Sequence, residues 1–466
     1  MQATLDKIKN VLGPSGYIDD PARMEPFVVA WRGGWRGKTP LIALPASTEE
    51  ISAVVKFCAQ NKIGIVPQGG NTGTVGGCIP SMENNQIVIG LSRLNKIRNI
   101  DRTGSAVTAE AGVILQTLQD AAAEAGFLFP ISMASQGSAQ IGGAISTNAG
   151  GTAVLRYGNT RSLVLGIEAV LANGEVFSGL KSLRKDNMGY NLAQYFIGSE
   201  GTLGIVTAAT LRLFPKPRQS LTAIAAIPNA EAALELLGDF QRECGEYLSA
   251  FEIISETAMA LVIKNIPGTR MPGSPAPYFI LIEIDSASPG VPLPALFETV
   301  TVKALQNGSM SDAVVAENIA QARQLWHLRE NISEAIRKES SAIHFDIALP
   351  LNEIAPFLMQ LEPRIKAVAP DIRIAPFGHI GDGNLHYNMC FARPQENFAE
   401  LKAKIQDIVY GEVARRDGSL SAEHGIGTAR KAVLAQYKPA SEIEMMKKIK
   451  HALDPDGLMN PGKIFD

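Results

Sequence analysis

The stretch IGIVPQGGNTGTVGG, residues 63–77, runs from a short β-branched segment straight into a loop with glycine at 69, 70, 73, 76 and 77. Successive glycines let backbone N–H groups converge on an anion, and without Cβ atoms the chain can approach a pyrophosphate closely. The spacing fits neither GxGxxG nor the GxxxxGK signature, so it does not read as a Rossmann site or a P-loop. Two further segments share the composition: SQGSAQIGGAISTNAGG (135–151), read as a long non-helical run of small residues, and GSEGTLGIV (198–206). Three such segments in one region imply a long, flat, phosphate-bearing ligand lying against bare backbone.

Around them the chain alternates short strands with helices. IALPAS, the helix TEEISAVVKFCAQN, QIVIGLS, AVTAEAG and the helix ILQTLQDAAAEAG lead to strands in LVLGIEAVLANGEV and GIVTAATLRLFP. This is α+β texture. Pro215 and Pro217 end it, which places a first domain at 1–217. In 218–418 the strands LTAIAAIP, AFEIIS, YFILIEIDS, AIHFDIALP and the ribbon IRIAPFGHIGDGNLHYNMCF are separated by amphipathic helices. They predict an antiparallel sheet with helices on one face. Residues 419–466 form a C-terminal segment containing AEHG and NPGKIF.

The chain has 466 residues, enough for two or three domains. It carries 43 Lys plus Arg against 46 Asp plus Glu without a basic block, so no nucleic acid partner is expected. Cysteines 58, 78, 244 and 390 form no CxxC pair and read as free thiols in a reducing compartment. The N-terminus lacks a signal-peptide pattern and no 18-residue apolar run occurs. A cytoplasmic location is the expectation.

Three of the six histidines lie in GHIGDGNLHYN (378–388) and SAEHGIG (421–427). With Asp382-Gly383 as a two-residue hairpin turn, His379 directly faces His386, and Asn388 projects from the same face. Two imidazoles joined by a carboxylate such as Glu423 make a His₂Glu set that suits zinc with one position open. A zinc hydrolase would use that set too, but would leave three glycine segments without a ligand.

Taken in order, PQGGNTG, IGGAISTNAGG, RYG, LRKDN, GSEGTLGI, GHIGDGNLH, SAEHGIG and NPGKIF resemble the FAD-dependent D-2-hydroxyacid dehydrogenases of the vanillyl-alcohol-oxidase fold, in the D-2-hydroxyglutarate and D-lactate dehydrogenase branch. The resemblance runs from near Glu25 to the C-terminus. It implies a PCMH-type FAD-binding domain of two α+β subdomains, completed by the C-terminal segment, with a substrate or cap domain inserted. Pro67, Gly69, Gly70, Asn71, Thr72 and Gly73 would wrap the FAD pyrophosphate. Ser135, Gly137, Gly142, Gly143, Asn148 and Gly150 would follow flavin and ribitol, and Gly204, Ile205 and Val206 the adenine side. Asn460 would lie near the isoalloxazine. The same resemblance makes His379, His386 and Glu423 the metal ligands, Asn388 a substrate-orienting amide and His424 the catalytic base. Covalent flavoproteins of this fold often carry histidine where Asn71 stands, so FAD is expected to be non-covalent.

The activity implied is oxidation of a D-2-hydroxyacid to the 2-oxoacid by hydride transfer to the flavin, with His424 taking the hydroxyl proton. A flavin-binding electron-transfer subunit of a glycolate or lactate oxidase-like complex is the alternative. On NIAQARQLWHLRENISEAIRK, Arg329 and Ser333 are four apart and share a helix face, and arginine suits a carboxylate. The family places Arg, Thr and Lys where Arg329, Ser333 and His344 align here, and histidine in place of lysine makes the second charge pH-dependent. Alternation in IHFDI puts His344 and Asp346 together on a polar face. The substrate is therefore D-2-hydroxyglutarate, D-lactate or a similar acid. An electron-transfer flavoprotein or quinone is the implied acceptor. No pattern fixes the oligomeric state, and a homo-oligomer is compatible.

Overall fold

The computed structural model describes residues 1–31 and 33–465. They divide into two compact units. Unit 1 comprises Met1–Gly150, Gly158–Lys216 and Glu423–Asp466, and unit 2 comprises Gly151–Tyr157 and Pro217–Ala422. The chain thus changes unit at Lys216 and Ala422, near the boundaries read after 217 and 418. The Gly151–Tyr157 excursion has no counterpart in that reading.

Unit 1 contains β1 (Tyr17–Ile18), β2 (Ile42–Ala43), β3 (Gly64–Gln68), β4 (Gln86–Gly90), β5 (Ile97–Asp101), β6 (Ala106–Glu110), β7 (Phe127–Leu128), β8 (Val164–Val170), β9 (Val176–Gly179), β10 (Ile205–Arg212) and β11 (Phe214–Pro215). One sheet has the order β1-β2-β4-β3, with β2, β4 and β3 parallel, and a second, antiparallel sheet has the order β5-β6-β10-β8-β9. Strands between parallel neighbours are covered on both faces, and every residue of β4, QIVIG, is buried. The helix Thr48–Asn61 packs on this sheet through Ile51, Val54, Val55 and Cys58. Ser47 starts it by accepting the Glu50 N–H (3.2 Å), while the Glu50 carboxylate reaches back to the Ala46 N–H (2.7 Å).

The glycine-rich run 135–151 is not wholly non-helical, because Ile141–Ser146 is a helix. Gly142 shows why small residues are needed: its N–H donates to Ala111 O (2.7 Å), and a Cβ there would lie 2.7 Å from that of Ala111. Composition marked a close approach, and close approach is as useful to a packed helix as to a loop.

Unit 2 contains β12 (Gln219–Ile227), β13 (Leu248–Ser255), β14 (Tyr278–Ser286), β15 (Asp312–Val315), β16 (Ser340–Ile343), β17 (Ile347–Ala348), β18 (Arg373–Gly378) and β19 (Asn384–Phe391). They form one antiparallel sheet in the order β15-β12-β14-β13-β18-β19-β16, with β17 also paired to β19. The expected antiparallel sheet is present, and helices cover both of its faces. On β13, Phe251 packs against Phe240 of the helix Ala230–Cys244 at 6.2 Å between ring centroids. Ile254, on the opposite face, joins Leu325, Leu328 and Ile332 from the helices Ile319–Glu330 and Ile332–Arg337.

Two segments read as continuous are broken. AIHFDIALP splits into β16 and β17, with residues 344–346 in an irregular link and Phe345 N–H bonded to Asn388 Oδ1 (3.1 Å). The alternation therefore fails: His344 is exposed while Asp346 is 1% exposed. The helix carrying Arg329 ends at Glu330, since the Asn331 side chain donates to His327 O (2.8 Å) and competes with the backbone ladder. No helix among the described residues is long and apolar enough to cross a membrane. All four cysteines are free.

Candidate active site

In unit 1 the three glycine segments converge. A Cβ on Gly70 would lie 1.9 Å from Ser138 O, and one on Gly69 would lie 3.8 Å from Gly143 Cα. Residues 69–70 therefore lie flat against 138–143. Gly198 N–H donates to Ile145 O (3.0 Å) and Glu200 N–H to Ser146 O (2.8 Å), so the third segment meets the end of the same short helix. A Cβ on Gly201 would meet Pro67 at 2.7 Å.

The first loop is tied to the 26–31 segment and to itself by side-chain hydrogen bonds. Asn71, at φ 51°, donates through Nδ2 to Pro26 O (3.0 Å) and Val29 O (2.9 Å). Trp31 Nε1 donates to Thr72 O (2.9 Å), and Gln68 Nε2 to Phe27 O and Cys78 O (both 2.9 Å). The Asn71 side chain is thus engaged by the protein. Asn148, also left-handed at φ 51°, accepts the Arg161 N–H (2.9 Å), and Ser135 O accepts from Ser138 and Ala139. Ile205 and Val206 are buried at the start of β10, paired with Val170 and Ala169.

The C-terminal segment returns to this cradle. Asn460 donates from its N–H to Ile65 O (2.7 Å) and from Nδ2 to Gly77 O (2.9 Å) and Glu200 O (2.6 Å). Lys463 Nζ donates to Ile79 O (2.8 Å), and burial pushes its pKa down. Glu200, which sequence reasoning missed, accepts the N–H groups of Ile426 (2.7 Å) and Gly427 (2.8 Å). Gly425, at φ 80°, makes the bend after His424, and a Cβ there would lie 2.8 Å from Glu200 Oε1. Burial raises the Glu200 pKa, while the two N–H groups, Arg430 and Lys463 pull it down.

The cradle fits FAD. No atom lies within 4 Å of where a Cβ would stand on Gly73, Gly137 or Gly143, so bare backbone faces open space. Asn460 Oδ1 and Gln140 Oε1 are buried acceptors that receive no hydrogen bond among the described residues. Open backbone amides suit phosphates, and the two orphaned acceptors suit ring N–H or ribityl O–H donors.

In unit 2, β18 and β19 form the expected ribbon in a different register. Phe377 rather than His379 faces His386, and Ala375 faces Asn388. The turn is longer than two residues because Ile380–Asp382 forms a 3-10 turn closed by Gly383 at φ 88°. Asp382 Oδ1 accepts the Asn384 N–H (3.1 Å), and a Cβ on Gly383 would lie 2.4 Å from Leu349 O. His379 consequently sits at the corner beyond β18. Its ring still meets that of His386, with centroids 5.5 Å apart and planes at 77°.

Glu252 of β13 supports this pair. His379 Nδ1 donates to its Oε1 (2.6 Å) and Arg329 Nε to its Oε2 (2.7 Å), and all three side chains are buried. The Arg329 guanidinium also lies 4.9 Å over the Phe377 ring. Burial alone would raise the Glu252 pKa, but His379 and Arg329 hold it down at about 2. With Nδ1 donating to a carboxylate, any bond from His379 to a metal would come from Nε2. His386 Nδ1 lies 3.9 Å from Asp346 Oδ1, which accepts from Asn384 Nδ2 (3.1 Å). Two imidazoles with carboxylates behind them fit a divalent ion such as zinc. Ala422, the residue before Glu423, is fixed by its N–H to Asp346 O (3.2 Å).

Arg329, His379 and His386 are thus brought together around Glu252 and Phe377, and Asn388 lies two residues along β19 from His386. Ser333 is not with them: it is exposed on Ile332–Arg337, whereas Arg329 is buried on the preceding helix, so they do not share one helix face. His344 follows Ile343, which pairs with Met389, and precedes Phe345, which bonds Asn388. Its backbone therefore runs beside Asn388.

Residues 216–464 match the family described as FAD linked oxidases, C-terminal domain, and residues 39–179 match the FAD binding domain family. The chain is 37% identical over 458 residues to D-2-hydroxyglutarate dehydrogenase, mitochondrial, of Arabidopsis thaliana, covering 98% of this chain and 80% of that protein. It is 37% identical over 453 residues to the D-2-hydroxyglutarate dehydrogenase of Xanthomonas citri pv. viticola, covering 96% and 93%. Among solved structures, p-cresol methylhydroxylase with substrate bound shares the fold at a TM-score of 0.77 and 15% identity, covering 100% of this chain and 97% of that one. Alkyldihydroxyacetonephosphate synthase does so at 0.75 and 18%, covering 99% and 84%. Glycine cradle, antiparallel second unit and these likenesses define an FAD-linked oxidoreductase with the PCMH-type fold. Within that class, the chain belongs to the family of FAD-dependent D-2-hydroxyacid dehydrogenases.

Proposed function

We propose that this enzyme oxidises D-2-hydroxyglutarate, or a close D-2-hydroxyacid such as D-lactate, to the 2-oxoacid, using non-covalent FAD and a divalent cation held by His379, His386 and Glu423. The observation that carries the cation is the pair of imidazoles with ring centroids 5.5 Å apart, the buried one oriented by Glu252. The relatives named for D-2-hydroxyglutarate support that substrate. Zinc is the ion the donor set favours.

Residues 69–73 would hold the FAD pyrophosphate, the 135–150 segment the flavin and ribitol, residues 204–206 the adenine side, and Asn460 the isoalloxazine. Bound FAD would supply the acceptor for two electrons and the Cα hydrogen, and a bound cation would acidify a ligated hydroxyl. His424, on the bend fixed by Glu200, takes the hydroxyl proton; the O–H electrons form the C=O bond as the Cα–H leaves with its pair. Asn388, whose Oδ1 is engaged by Phe345, has Nδ2 to donate to a substrate oxygen. Arg329 has its Nη groups, which make no hydrogen bond among the described residues, for a carboxylate. His344 adds a charge there only when protonated. The electrons then pass to a carrier such as an electron-transfer flavoprotein or a quinone.

Anaerobic mixing of the purified enzyme with D- and L-2-hydroxyacids tests this reading. D-2-hydroxyglutarate should bleach the flavin, a chelator should abolish the reaction and zinc should restore it. Bleaching that survives exhaustive chelation excludes the cation, and no bleaching by any D-2-hydroxyacid excludes the reaction.

A further inference from the structure

We propose that Glu252 is a positioning residue shared by the cation site and the substrate site, holding the His379 ring with Nε2 outward and, with its other oxygen, locking Arg329. The inference rests on the cation reading above. Glu252 lies on the middle of β13, in the centre of the unit 2 sheet, and is 0% exposed. One oxygen is 2.6 Å from His379 Nδ1 and the other 2.7 Å from Arg329 Nε. A carboxylate in such a place needs a reason, because a buried charge is costly unless paired and a leucine would pack there as well.

The reason lies in what the two oxygens constrain. His379 lies outside β18, beyond the strand pairing that positions His386, so the ribbon alone does not fix its ring. The Glu252 contact supplies that constraint and selects the tautomer. Arg329 is fixed by Glu252 on one side and by Phe377 beneath it, and Phe377 is the residue facing His386 across the ribbon. Glu252, Arg329, Phe377 and the two histidines therefore form one rigid group. A change at Glu252 should disturb the cation ligand and the arginine together, although Glu252 need touch neither cation nor substrate.

The test is zinc affinity of the FAD-loaded, full-length enzyme, measured by chelator competition in parent, Glu252→Gln and the double variant Glu252→Met with Arg329→Met. Losing the carboxylate behind a ligating histidine should weaken zinc roughly 10- to 100-fold. The double variant replaces a buried ion pair by apolar side chains of similar length, which generally keeps the fold. It serves as the deciding protein if Glu252→Gln does not fold. Cobalt(II) loaded into the parent and the variants should show different visible bands, a signature of altered ligand orientation that mere loss of stability would not give. A folded variant that binds zinc as tightly as the parent, with an unchanged cobalt spectrum, overturns the inference and leaves the cation reading intact. A parent that binds no zinc overturns both.

Discussion

Ile426 donates its N–H to the Glu200 carboxylate at 2.7 Å, across 226 positions of sequence. The second oxygen takes the Gly427 N–H at 2.8 Å, so the turn that follows His424 is tied to the third glycine segment. Glu200 itself is fixed through its N–H to Ser146 O, at the end of the short helix in the second segment. The proposed base and the proposed flavin cradle therefore share one anchor.

Glu200→Ala should release that anchor, since it removes the acceptor of both N–H groups, and a buried donor left unsatisfied costs roughly 1–3 kcal/mol. Amide hydrogen exchange at Ile426 and Gly427 should rise sharply, and flavin reduction should slow about tenfold or more as the base loses its position. Unchanged exchange at these two amides would show that other contacts hold the turn.

Gly73→Ala and Gly70→Ala should behave differently. A Cβ at Gly73 meets nothing within 4 Å, so that variant should fold normally and bind FAD about tenfold or more weakly, because its methyl enters the space assigned to the ligand. At Gly70 the methyl would lie 1.9 Å from Ser138 O, so the two segments must part and the protein itself should be destabilised. Thermal unfolding and flavin titration separate the two effects. Equal FAD affinity in Gly73→Ala and parent would remove residue 73 from the cradle.

FAD should leave the protein on acid precipitation, because Asn71 offers no nucleophile and its side chain is engaged with Pro26 O and Val29 O. Yellow colour retained in the pellet would contradict this.

His424→Asn should keep FAD and the fold while slowing flavin reduction by at least about 10²-fold, since the amide cannot accept a proton at neutral pH. Stopped-flow reduction at saturating substrate isolates that step. A rate within a few-fold of the parent from roughly pH 6 to 9 would remove His424 from the role of base.

Glu412 gives unit 2 an acid-sensitive clasp. It accepts from Arg415 (2.5 Å), Arg416 (3.0 Å) and Arg364 (2.8 Å), and these pairings hold its pKa down at about 2 despite burial. A depressed carboxylate pKa adds stability that is fully present above the unfolded value and disappears as pH falls through the folded one. Glu412→Gln should therefore cost roughly 2 kcal/mol at neutral pH after allowance for the exposed arginines. The difference should close as pH drops from about 4.5 towards about 2. Urea unfolding at both ends of that window would show it, and a pH-independent difference would assign the loss to packing instead.

The glycine segments were legible because a close backbone approach leaves its mark in composition wherever it occurs. Their convergence was legible only through the resemblance, since nothing local joins Gly70 to Ser138. The ribbon between 373 and 391 could be read from alternation, but its register could not. Asp-Gly equally serves a two-residue turn and the end of a 3-10 turn, and the choice depends on how Gly383 packs against Leu349. Arg329 and Ser333 looked like helix neighbours because Asn331 is an ordinary residue until its side chain takes the His327 carbonyl. Glu252 and Glu200 carried no signal at all. Each is one acidic residue among many, and its role is set by partners 77 or more positions away.

The residues that close the cradle are made after the whole unit 2 sheet. Unit 1 needs Asn460 to reach Ile65 and Gly77, whereas every strand of the unit 2 sheet has been made by Phe391. On a ribosome the later-starting unit can therefore complete its sheet first, while the earlier one waits with its ligand cradle open. Closure of loops that long is slow. Flavin capture thus waits for Asn460: a product cut short anywhere before that residue should emerge colourless, however well its second unit is folded.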